Sequence, residues 1–288
     1  MENIVSVLLI VLNVENSISA CISSLLAQTF KNFEIVIVDD LSSDATKEKI
    51  LAFNDKRIHY FVNKKFIGRS QSRNKSLGLA KGKYIFFTDG DCRVHKKWIE
   101  EGMKYLENPN VVGVEGKTTY VSEKYKPTRS DFVVENSRGR GFMTCNIAYK
   151  KTVLEKTGGF DERLTHLEDR DLALRAIKQG QIIFNDKMIV YHQKKSMSPA
   201  QFLKTANILG NRVLLYKKFG DKTLFFWRIA LPQDLAKIIF PPIIFGSFLV
   251  NKYKSKKDFD IFPYIYVKLL IERLRFWKMC AKERVFLL

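Results

Sequence analysis

The chain has 288 residues, 46% of them hydrophobic, and a formal net charge of +19. This length and apolar content predict one sizeable α/β core with an appendage and exclude a disordered chain. The positive charge, which is densest after Ser196, favours an anionic partner such as nucleic acid, acidic lipid or a diphosphate.

Apolar runs alternate with helical patterns in the first part of the chain. The run 4–11 is rich in β-branched residues and leucine, which predicts a strand buried on both faces. Apolar residues at helical spacing from Ile18 to Leu26 predict the first helix. Further strands are predicted at 33–38, 57–62 and 83–88, with a helix before each of the last two. This β-α-β-α-β-α-β order predicts a parallel sheet with right-handed crossovers.

The next part of the chain alternates less regularly. The segment 122–141 is polar, basic and poor in apolar residues, and we interpret it as a mobile loop over the site. The other elements predicted here are short strands at 111–114, 181–184 and 188–191, an extended segment at 142–149, and helices at 150–157 and 168–179.

The character of the sequence changes at about residue 196. The apolar stretch 235–250 is interrupted by Pro241-Pro242 and is shorter than the roughly 20 residues that a transmembrane helix needs. A kinked helix in the membrane interface fits better, and a second soluble subdomain or a dimer face is the alternative. We therefore predict a catalytic domain at 1–195 and a basic, apolar helical extension at 196–288. The extension also has predicted helices at 199–219 and 262–286, an apolar stretch at 223–231 and a basic run at 252–257.

The cysteines and the first residues indicate a reducing compartment. The four cysteines form no C-x-x-C pair and none lies near a cluster of histidines, so we expect free thiols and no zinc site. No basic segment or cleavage site precedes the first apolar run, so no signal peptide is expected. The cysteines are Cys21, Cys92, Cys145 and Cys280.

Acidic residues follow two of the predicted strands. Asp39 and Asp40 follow the second strand, and Asp89 and Asp91 follow the fourth. Ligands bind at the carboxyl ends of strands in such sheets, where clustered carboxylates repel one another unless a cation lies between them. The pattern predicts Mg²⁺ or Mn²⁺ held by carboxylates and by substrate phosphates.

Both common glycine-rich phosphate-binding motifs are missing from the sequence. There is no G-x-G-x-x-G after the first strand and no G-x-x-x-x-G-K-[ST]. We therefore expect metal and basic side chains to hold the phosphates, and Arg69, Arg73 and Lys75 lie between the two acidic strand ends. A solvated helix face is the alternative for these three residues.

A third acidic group, Glu168-Asp169-Arg170-Asp171, opens a predicted helix. Glu168 and Asp171 share one helix face, whereas Asp169 projects elsewhere. Carboxylates in a first turn also stabilise the helix dipole, which explains the group without catalysis. The functional interpretation makes Asp169 a general base over an acceptor hydroxyl.

Taken in order, these motifs resemble glycosyltransferase family 2, whose members have the GT-A type nucleotide-sugar fold. The resemblance covers about residues 4–195. Its motifs are Ser6-Val7-Leu8-Leu9 with Asn13, Ser24 to Phe30, Phe33 to Asp40 with Ser42-Ser43-Asp44, Ser72-Arg73-Asn74, Ala80 to Ile85 with Asp89-Gly90-Asp91, Gly158-Gly159-Phe160-Asp161, Glu168-Asp169-x-Asp171-Leu172 and Val190-Tyr191-His192.

The resemblance implies an α/β fold with a mostly parallel, Rossmann-like sheet flanked by helices, and a transfer that uses Mn²⁺ or Mg²⁺. Asp169 would be the catalytic base, and we assign Glu168 and Asp171 to the acceptor side. Asp91 would bind the metal, with His192 beside the metal or the diphosphate. Asp40 would contact the nucleotide base, Asp39 would support Asp40, and Asp89 would face the ribose and the diphosphate. The residues implied in nucleotide binding are Asn13, Asp39, Asp40, Arg73, Asn74 and Asp89.

The sequence departs from the family pattern in several places. Leu12 stands where a tyrosine would stack on the base, which puts a preference for uracil in doubt. Leu41 replaces a usual glycine, and Cys92 replaces a common acidic residue. The Q-x-x-R-W signature of processive members is missing after His192, which favours the addition of a single sugar.

We therefore predict a metal-dependent, inverting glycosyltransferase that uses a nucleotide-diphospho-sugar and a lipid-linked or cell-surface glycan. It would be cytoplasmic, peripheral or monotopic at an anionic membrane surface. Nucleic acid is not an expected partner, because the basic excess lies beside apolar runs rather than among exposed aromatics. A nucleotidyltransferase of similar fold and a non-catalytic sugar-nucleotide-binding protein are the alternatives.

Overall fold

The computed structural model describes residues 4–120, 131–132, 134–193, 195–196, 203, 208–220 and 256–284. It divides into two units, Met1–Glu123 with Val133–Lys194, and Lys124–Phe132 with Lys195–Leu288. The predicted apolar stretches 223–231 and 235–250 lie outside the described residues, as do 122–130 and 133 of the predicted loop 122–141 and 252–255 of the basic run. The prediction of two functional domains, 1–195 and 196–288, stays a prediction.

The first half of the larger unit has the predicted alternation. Its strands are β1 (Val5–Val11), β2 (Phe33–Asp39), β3 (Ile58–Val62) and β4 (Tyr84–Asp89), and its helices are α1 (Ile18–Leu26), α2 (Thr46–Leu51) and α3 (Arg69–Leu79). All neighbouring strands pair in parallel in the order β3-β2-β1-β4. β2 is buried throughout and β1 almost throughout, as their apolar runs predict.

The second half of this unit makes the sheet mixed. Along the chain follow β5 (Cys92–Val94), α4 (Trp98–Leu106), β6 (Val111–Tyr120), β8 (Ile147–Lys150), α5 (Lys151–Thr157), α6 (Glu168–Ala176) and β9 (Gln181–His192). Between β6 and β8 lies β7 (Asp131–Phe132), which belongs to the smaller unit. Apart from β7, the strands extend the sheet in the order β4-β8-β6-β9-β5. β8 is antiparallel to both neighbours, β6 and β9 are parallel, and β5 is antiparallel to β9. The expectation of a mostly parallel sheet is confirmed for β1 to β4 and corrected for the rest.

β9 is one strand rather than the two short strands predicted at 181–184 and 188–191. Its pairing with β6 shifts register after Gly116, which lies opposite Asn185, so that the next pair joins Lys117 to Ile189. The polar residues between the two apolar runs form this irregularity, and the Asn185 amide is anchored on the backbone oxygen of Glu101 at 3.1 Å. The polar interruption is therefore a bulge within one strand.

The core of the larger unit lies on both faces of the sheet. On one face, Ile22 of α1 and Trp98 of α4 belong to one buried cluster with the strands. On the other face, Leu154 of α5 and Leu172 of α6 belong to a second cluster. Helices on both faces are what a largely parallel sheet of apolar strands requires.

The smaller unit contains the strand β7, which pairs with β10 (Lys195–Ser196), and the helices α7 (Ile208–Phe219) and α8 (Lys256–Glu283). The two helices share a buried contact between Val213 and Phe276. An ion pair of 2.8 Å joins Lys217 to Glu283. Among the helices in the described ranges, none combines the length and the hydropathy that crossing a bilayer requires.

Candidate active site

The carboxyl ends of β1, β2 and β4 meet at one edge of the sheet. β1 lies in the middle, and its Ile10 is level with Val38 of β2 and with Asp89 of β4. The acidic residues that follow β2 and β4 therefore lie on the two sides of the end of β1. This edge is where a ligand binds in an open α/β sheet.

Asp39 and Asp40 are buried, and donors of the protein itself occupy their oxygens. Asp39 accepts a hydrogen bond of 2.7 Å from the N–H of Ser42. Asp40 accepts hydrogen bonds from the N–H groups of Ile67 and Gly68, at 2.9 and 2.8 Å, just before α3. Both carboxylates thus fix the loops beside the cleft, and their contact with a nucleotide base stays a prediction.

Asn13 joins the loops that follow β1 and β2. It has a left-handed backbone with φ of 52°, and its side-chain oxygen accepts a hydrogen bond of 2.8 Å from the N–H of Ser43. Its sequence neighbour Leu12 and the nearby loop residue Leu41 are 42% and 47% exposed. These two apolar side chains stand where the family pattern has a tyrosine and a glycine, so the surface offered here is aliphatic.

Arg73 of α3 connects the acidic group that follows β4 to the acidic group that opens α6. Its Nη1 lies 2.5 Å from Glu168 Oε1, its Nη2 lies 3.8 Å from Asp89 Oδ1, and its guanidinium packs over the ring of Phe160. Burial lowers the pKa of Arg73, but the carboxylates of Glu168 and Asp89 outweigh burial and hold the pKa above its usual value. A permanent positive charge therefore lies beside Asp89, next to the exposed Arg69 one turn earlier in the helix.

The other polar residues of α3 are engaged in packing. The side chain of Asn74 donates to the carbonyl of Phe160 and accepts from its N–H, at 2.9 and 2.8 Å, which fixes the turn around Gly159. Lys75 donates to the side-chain oxygen of Asn63 at 2.7 Å. These contacts position α3 against the turn, and the role of Asn74 in nucleotide binding stays a prediction.

Asp91 and His192 form a pair whose geometry suits a cation. Nδ1 of His192 lies 2.8 Å from the carbonyl oxygen of Gln193, which can only accept, so we assign the hydrogen to Nδ1. Nε2 then presents a lone pair to Asp91 Oδ1 at 3.6 Å. Two acceptors that face each other need a proton or a metal ion between them, and the fixed tautomer is the one that a metal-binding histidine has. The residues present therefore fit a divalent ion.

Asp169 follows Leu167 and Glu168 at the first turn of α6 and is half-buried. Burial raises the pKa of Asp169 to about 6, and the charge of Glu168 adds to the increase, while Arg73 and the N–H of Arg170 oppose it. A carboxyl group with a pKa of about 6 is mostly deprotonated near neutral pH and still accepts a proton more readily than an ordinary carboxylate does. Both properties suit a general base.

The neighbours of Asp169 face other partners. Glu168 is buried and is paired with Arg73, as described above. Asp171 is completely buried and pairs with Arg175 at 2.5 Å, and Arg175 in turn donates to the carbonyl of Thr157. These contacts hold α6 on α5, and the placement of Asp171 on the acceptor side stays a prediction.

Glu115 of β6 is a site residue that sequence patterns do not reveal. Its buried carboxylate accepts hydrogen bonds from the N–H groups of Arg140 and Phe142 and from the side chain of Asn136. Burial raises the pKa of Glu115, and these donors oppose the increase. The described end of the segment predicted as a mobile loop is thus tied to the sheet just before Thr144, whose backbone interacts with Asp169.

Comparisons with known proteins identify relatives. A family model described as "Glycosyl transferase family 2" matches residues 6–159. Two proteins of Escherichia coli, WfaP and WfgD, are each named UDP-Glc:alpha-D-GlcNAc-diphosphoundecaprenol beta-1,3-glucosyltransferase. WfaP is 32% identical over 179 residues, which is 59% of this chain and 68% of WfaP. WfgD is 30% identical over 183 residues, which is 63% of this chain and 72% of WfgD.

Solved structures share the fold. The mannosyltransferase PcManGT from Pyrobaculum calidifontis, in complex with GDP-Man and Mn2+, has a TM-score of 0.67 at 16% identity, over 96% of this chain and 88% of that one. S. aureus TarS 1-349 in complex with UDP has a TM-score of 0.59 at 19% identity, over 99% and 91% of the two chains. The fold is therefore a GT-A like α/β fold with a mixed sheet.

Proposed function

The chain belongs to glycosyltransferase family 2, and we propose that it moves one sugar from a nucleotide diphosphate to an acceptor hydroxyl with inversion at the anomeric carbon. The observation that carries this proposal is Asp169, whose pKa is raised to about 6 beside the Glu168–Arg73–Asp89 ion-pair chain. A base beside Glu168 is suited to accept a proton, and the fixed cation Arg73 within the chain is suited to stabilise an anionic leaving group.

The donor is proposed to lie across the carboxyl ends of β1, β2 and β4. Arg69 and Arg73 supply positive charge on the α3 side. This charge offsets the repulsion between the Asp89 carboxylate and a bound diphosphate. The loops fixed by Asn13 and Asp40 line the side where a base would lie. PcManGT and TarS, which share the fold, are described with GDP-Man and with UDP, and this agrees with a nucleotide-sugar donor without choosing the base.

Asp91 and His192 are proposed to hold Mn²⁺ or Mg²⁺. The lone pair of His192 Nε2 and the Asp91 carboxylate converge within 3.6 Å. A divalent ion, when bound there, supplies charge neutralisation for the departing diphosphate.

The proposed reaction is a single displacement. The acceptor oxygen forms a bond to the anomeric carbon while the bond from that carbon to the diphosphate oxygen breaks. Asp169 takes the acceptor proton, and the nucleoside diphosphate leaves with the bonding electron pair. Attack from the side opposite to the leaving group inverts the configuration, and the transition state has oxocarbenium character, as in other glycosyl chemistry.

The acceptor is proposed to be a lipid-linked glycan on the cytoplasmic face of a membrane. WfaP and WfgD are named for an acceptor on diphosphoundecaprenol. Helix α8 exposes Leu274 and Trp277, at 63% and 57%, next to basic residues such as Lys278. An apolar helix face bordered by lysine and arginine suits an anionic membrane surface.

The test is nucleotide release from a panel of sugar nucleotides with Mn²⁺, with and without a polyprenyl-diphosphate-linked sugar. We expect one donor to be used, release to increase with the lipid-linked acceptor, and an inverted linkage in the product by NMR. Asp91→Ala should remove the metal dependence together with the activity. A folded chain that binds a sugar nucleotide but transfers nothing to any acceptor would instead be a binding protein.

A further inference from the structure

We propose that Cys92 is a third protein ligand of the metal centre, so that this centre binds zinc-like ions more tightly than a carboxylate site does. The inference rests on the proposed function in taking Asp91 and His192 as metal ligands. It also revises the expectation of no zinc site, which considered only the spacing of cysteines along the sequence.

Strand pairing places Cys92 beside the histidine. β5 and β9 are antiparallel, and Cys92 lies directly opposite His192 in that pairing. Residues directly opposite each other project from the same face of a sheet and come close together. Asp91 immediately precedes Cys92, so the start of β5 and the end of β9 together bring a carboxylate, a thiol and an imidazole to one place.

The distances suit a small ion. Asp91 Oδ1 lies 3.6 Å from His192 Nε2 and 3.9 Å from Cys92 Sγ, and the three ligand atoms all lie within 4.8 Å of one another. Tetrahedral zinc, with bonds of about 2.0–2.3 Å, separates neighbouring ligand atoms by about 3.3–3.6 Å. The two distances from Asp91 therefore need to contract by a few tenths of an ångström, and the distance between Cys92 Sγ and His192 Nε2, which is at most 4.8 Å, by at most about 1.3 Å.

The burial of the three side chains also suits a set of metal ligands. Asp91, Cys92 and His192 are 9%, 1% and 5% exposed. Three protein ligands leave one tetrahedral position for another group, which is the arrangement of catalytic zinc sites. In this centre the open position would take an oxygen of the donor diphosphate.

The chemistry of sulfur sets the preference among ions. A thiolate is a soft ligand that favours zinc and cobalt, whereas carboxylates favour magnesium and manganese. On binding, the S–H bond of Cys92 breaks, a metal–sulfur bond forms, and the proton leaves to solvent. A centre with one thiolate, one imidazole and one carboxylate should still accept Mn²⁺ but bind Zn²⁺ and Co²⁺ more tightly.

The experiment is a titration of the full chain with Co²⁺ without donor, followed by ultraviolet absorption. We expect a thiolate-to-cobalt charge-transfer band that saturates at one ion per chain. Cys92→Ser should abolish the band, and Cys280→Ser, which changes a thiol in the other unit, should leave it intact. Loss of a residue that only hydrogen-bonds a metal ligand typically weakens metal binding by roughly 10–100-fold, so loss of a ligand itself should cost at least as much. Calorimetry should therefore show Zn²⁺ binding weakened by at least this factor in Cys92→Ser, and Mg²⁺ binding unchanged.

A second variant covers the case in which Cys92→Ser does not fold. In Cys21→Ser/Cys145→Ser/Cys280→Ser, Cys92 is the only cysteine left, and the band should persist. No band in the wild-type chain, or a band that survives in folded Cys92→Ser, overturns the proposal. Mn²⁺-dependent nucleotide release, measured in parallel, separates the two inferences: release without a band rejects Cys92 alone, whereas no release and no metal binding reject the proposed function as well.

Discussion

Nη1 of Arg73 donates to Oε1 of Glu168 over 2.5 Å, and both side chains are buried. The two residues belong to different helices, α3 and α6, and Asp169 directly follows Glu168. The ion pair therefore ties the helix that faces Asp89 to the turn that carries the proposed base. Removal of one partner of a buried ion pair costs more than the pair itself contributes, because the other charge stays behind.

Glu168→Gln should move the acidic limb of the pH profile for kcat/KM to lower pH. The charge of Glu168 raises the pKa of Asp169, so a neutral glutamine should let that pKa decrease from about 6. The base is active when deprotonated, and activity then begins at lower pH. The profile is measured with the donor that shows release.

Glu155→Gln is the matched control for this change, because Glu155 is a largely exposed glutamate on the neighbouring helix α5. Its profile should coincide with that of the wild type. An unmoved limb in Glu168→Gln, with Arg73 still buried and the protein folded, would show that Glu168 does not tune Asp169.

Asp169→Asn should reduce kcat by about 10²–10⁴ and leave KM for the donor nearly unchanged, because loss of a general base affects the chemical step. Initial rates of nucleotide release with saturating acceptor measure this. Asp171→Asn, which changes a buried carboxylate on the same helix, serves as a comparison for effects of folding. Near-normal turnover in folded Asp169→Asn would remove Asp169 from the mechanism.

Asp169→Asn should also raise the melting temperature at neutral pH. Burial raises the pKa of Asp169 from its ordinary value of 3.8 to about 6 in the folded chain, so the folded state holds the proton more tightly than the unfolded state. Protonated Asp169 therefore stabilises the fold at a pH below its pKa in the unfolded chain. This stabilisation is lost as the pH rises through its pKa in the folded chain. Asparagine carries no charge, so the gain should appear well above pH 6 and vanish at low pH in scanning calorimetry. Equal melting temperatures at neutral pH would argue against a strained carboxylate.

The sequence predicts the first half of the fold and the positions of the acidic strand ends, because continuous apolar runs mark buried strands over many residues. β1, β2 and β4 begin and end within one residue of their predicted bounds. β5 has three residues, Cys92–Val94, which is too short for any periodic pattern. Its pairing with β9, on which the position of His192 depends, is visible only in the structure.

Individual side-chain partners are less predictable than strands. Asp171 and Asn74 stand in motifs that suggest ligand contacts, yet Asp171 pairs with Arg175 and Asn74 holds the backbone of Phe160. Glu115, an isolated acid in an apolar strand, turns out to anchor the segment before Phe142. Such roles depend on residues that are distant in sequence, and a motif gives the residue type without its neighbours.

Gly78 and Gly82 should respond oppositely to alanine. Gly78 lies in α3, and a methyl group there meets nothing within 4 Å, so Gly78→Ala should stabilise by about 0.4–1 kcal/mol through a less flexible unfolded chain. At Gly82 the methyl group would lie 2.5 Å from the backbone nitrogen of Ser6 in β1. Gly82→Ala should therefore destabilise by at least about 1 kcal/mol, through overpacking. Urea denaturation of the two variants, each compared with the wild type, checks both signs.

Helix α8 presents an apolar face beside basic residues. Val267, Leu274 and Trp277 are exposed and are separated by seven and three residues, so they share one face of the helix. Arg275 and Lys278 are exposed next to them. This arrangement of tryptophan, leucine and basic side chains is typical of helices that lie in a membrane interface.

Leu274→Gln/Trp277→Gln should weaken binding of the full chain to phosphatidylglycerol vesicles and leave transfer to a water-soluble acceptor analogue unchanged. Full burial of such side chains contributes about 1.5–3 kcal/mol each, so partial immersion of the pair predicts a loss of about tenfold to a hundredfold in affinity by co-sedimentation. Leu51→Gln changes a leucine in the larger unit whose exposure, 58%, is close to the 63% of Leu274, so it is the matched control and should bind as the wild type does. The residual binding of the double variant should decrease more steeply with salt than that of the control, because only the basic side chains then hold the helix on the anionic surface. If the double variant binds vesicles normally, α8 does not dock on the membrane, and the lipid-linked acceptor must reach the site by another surface.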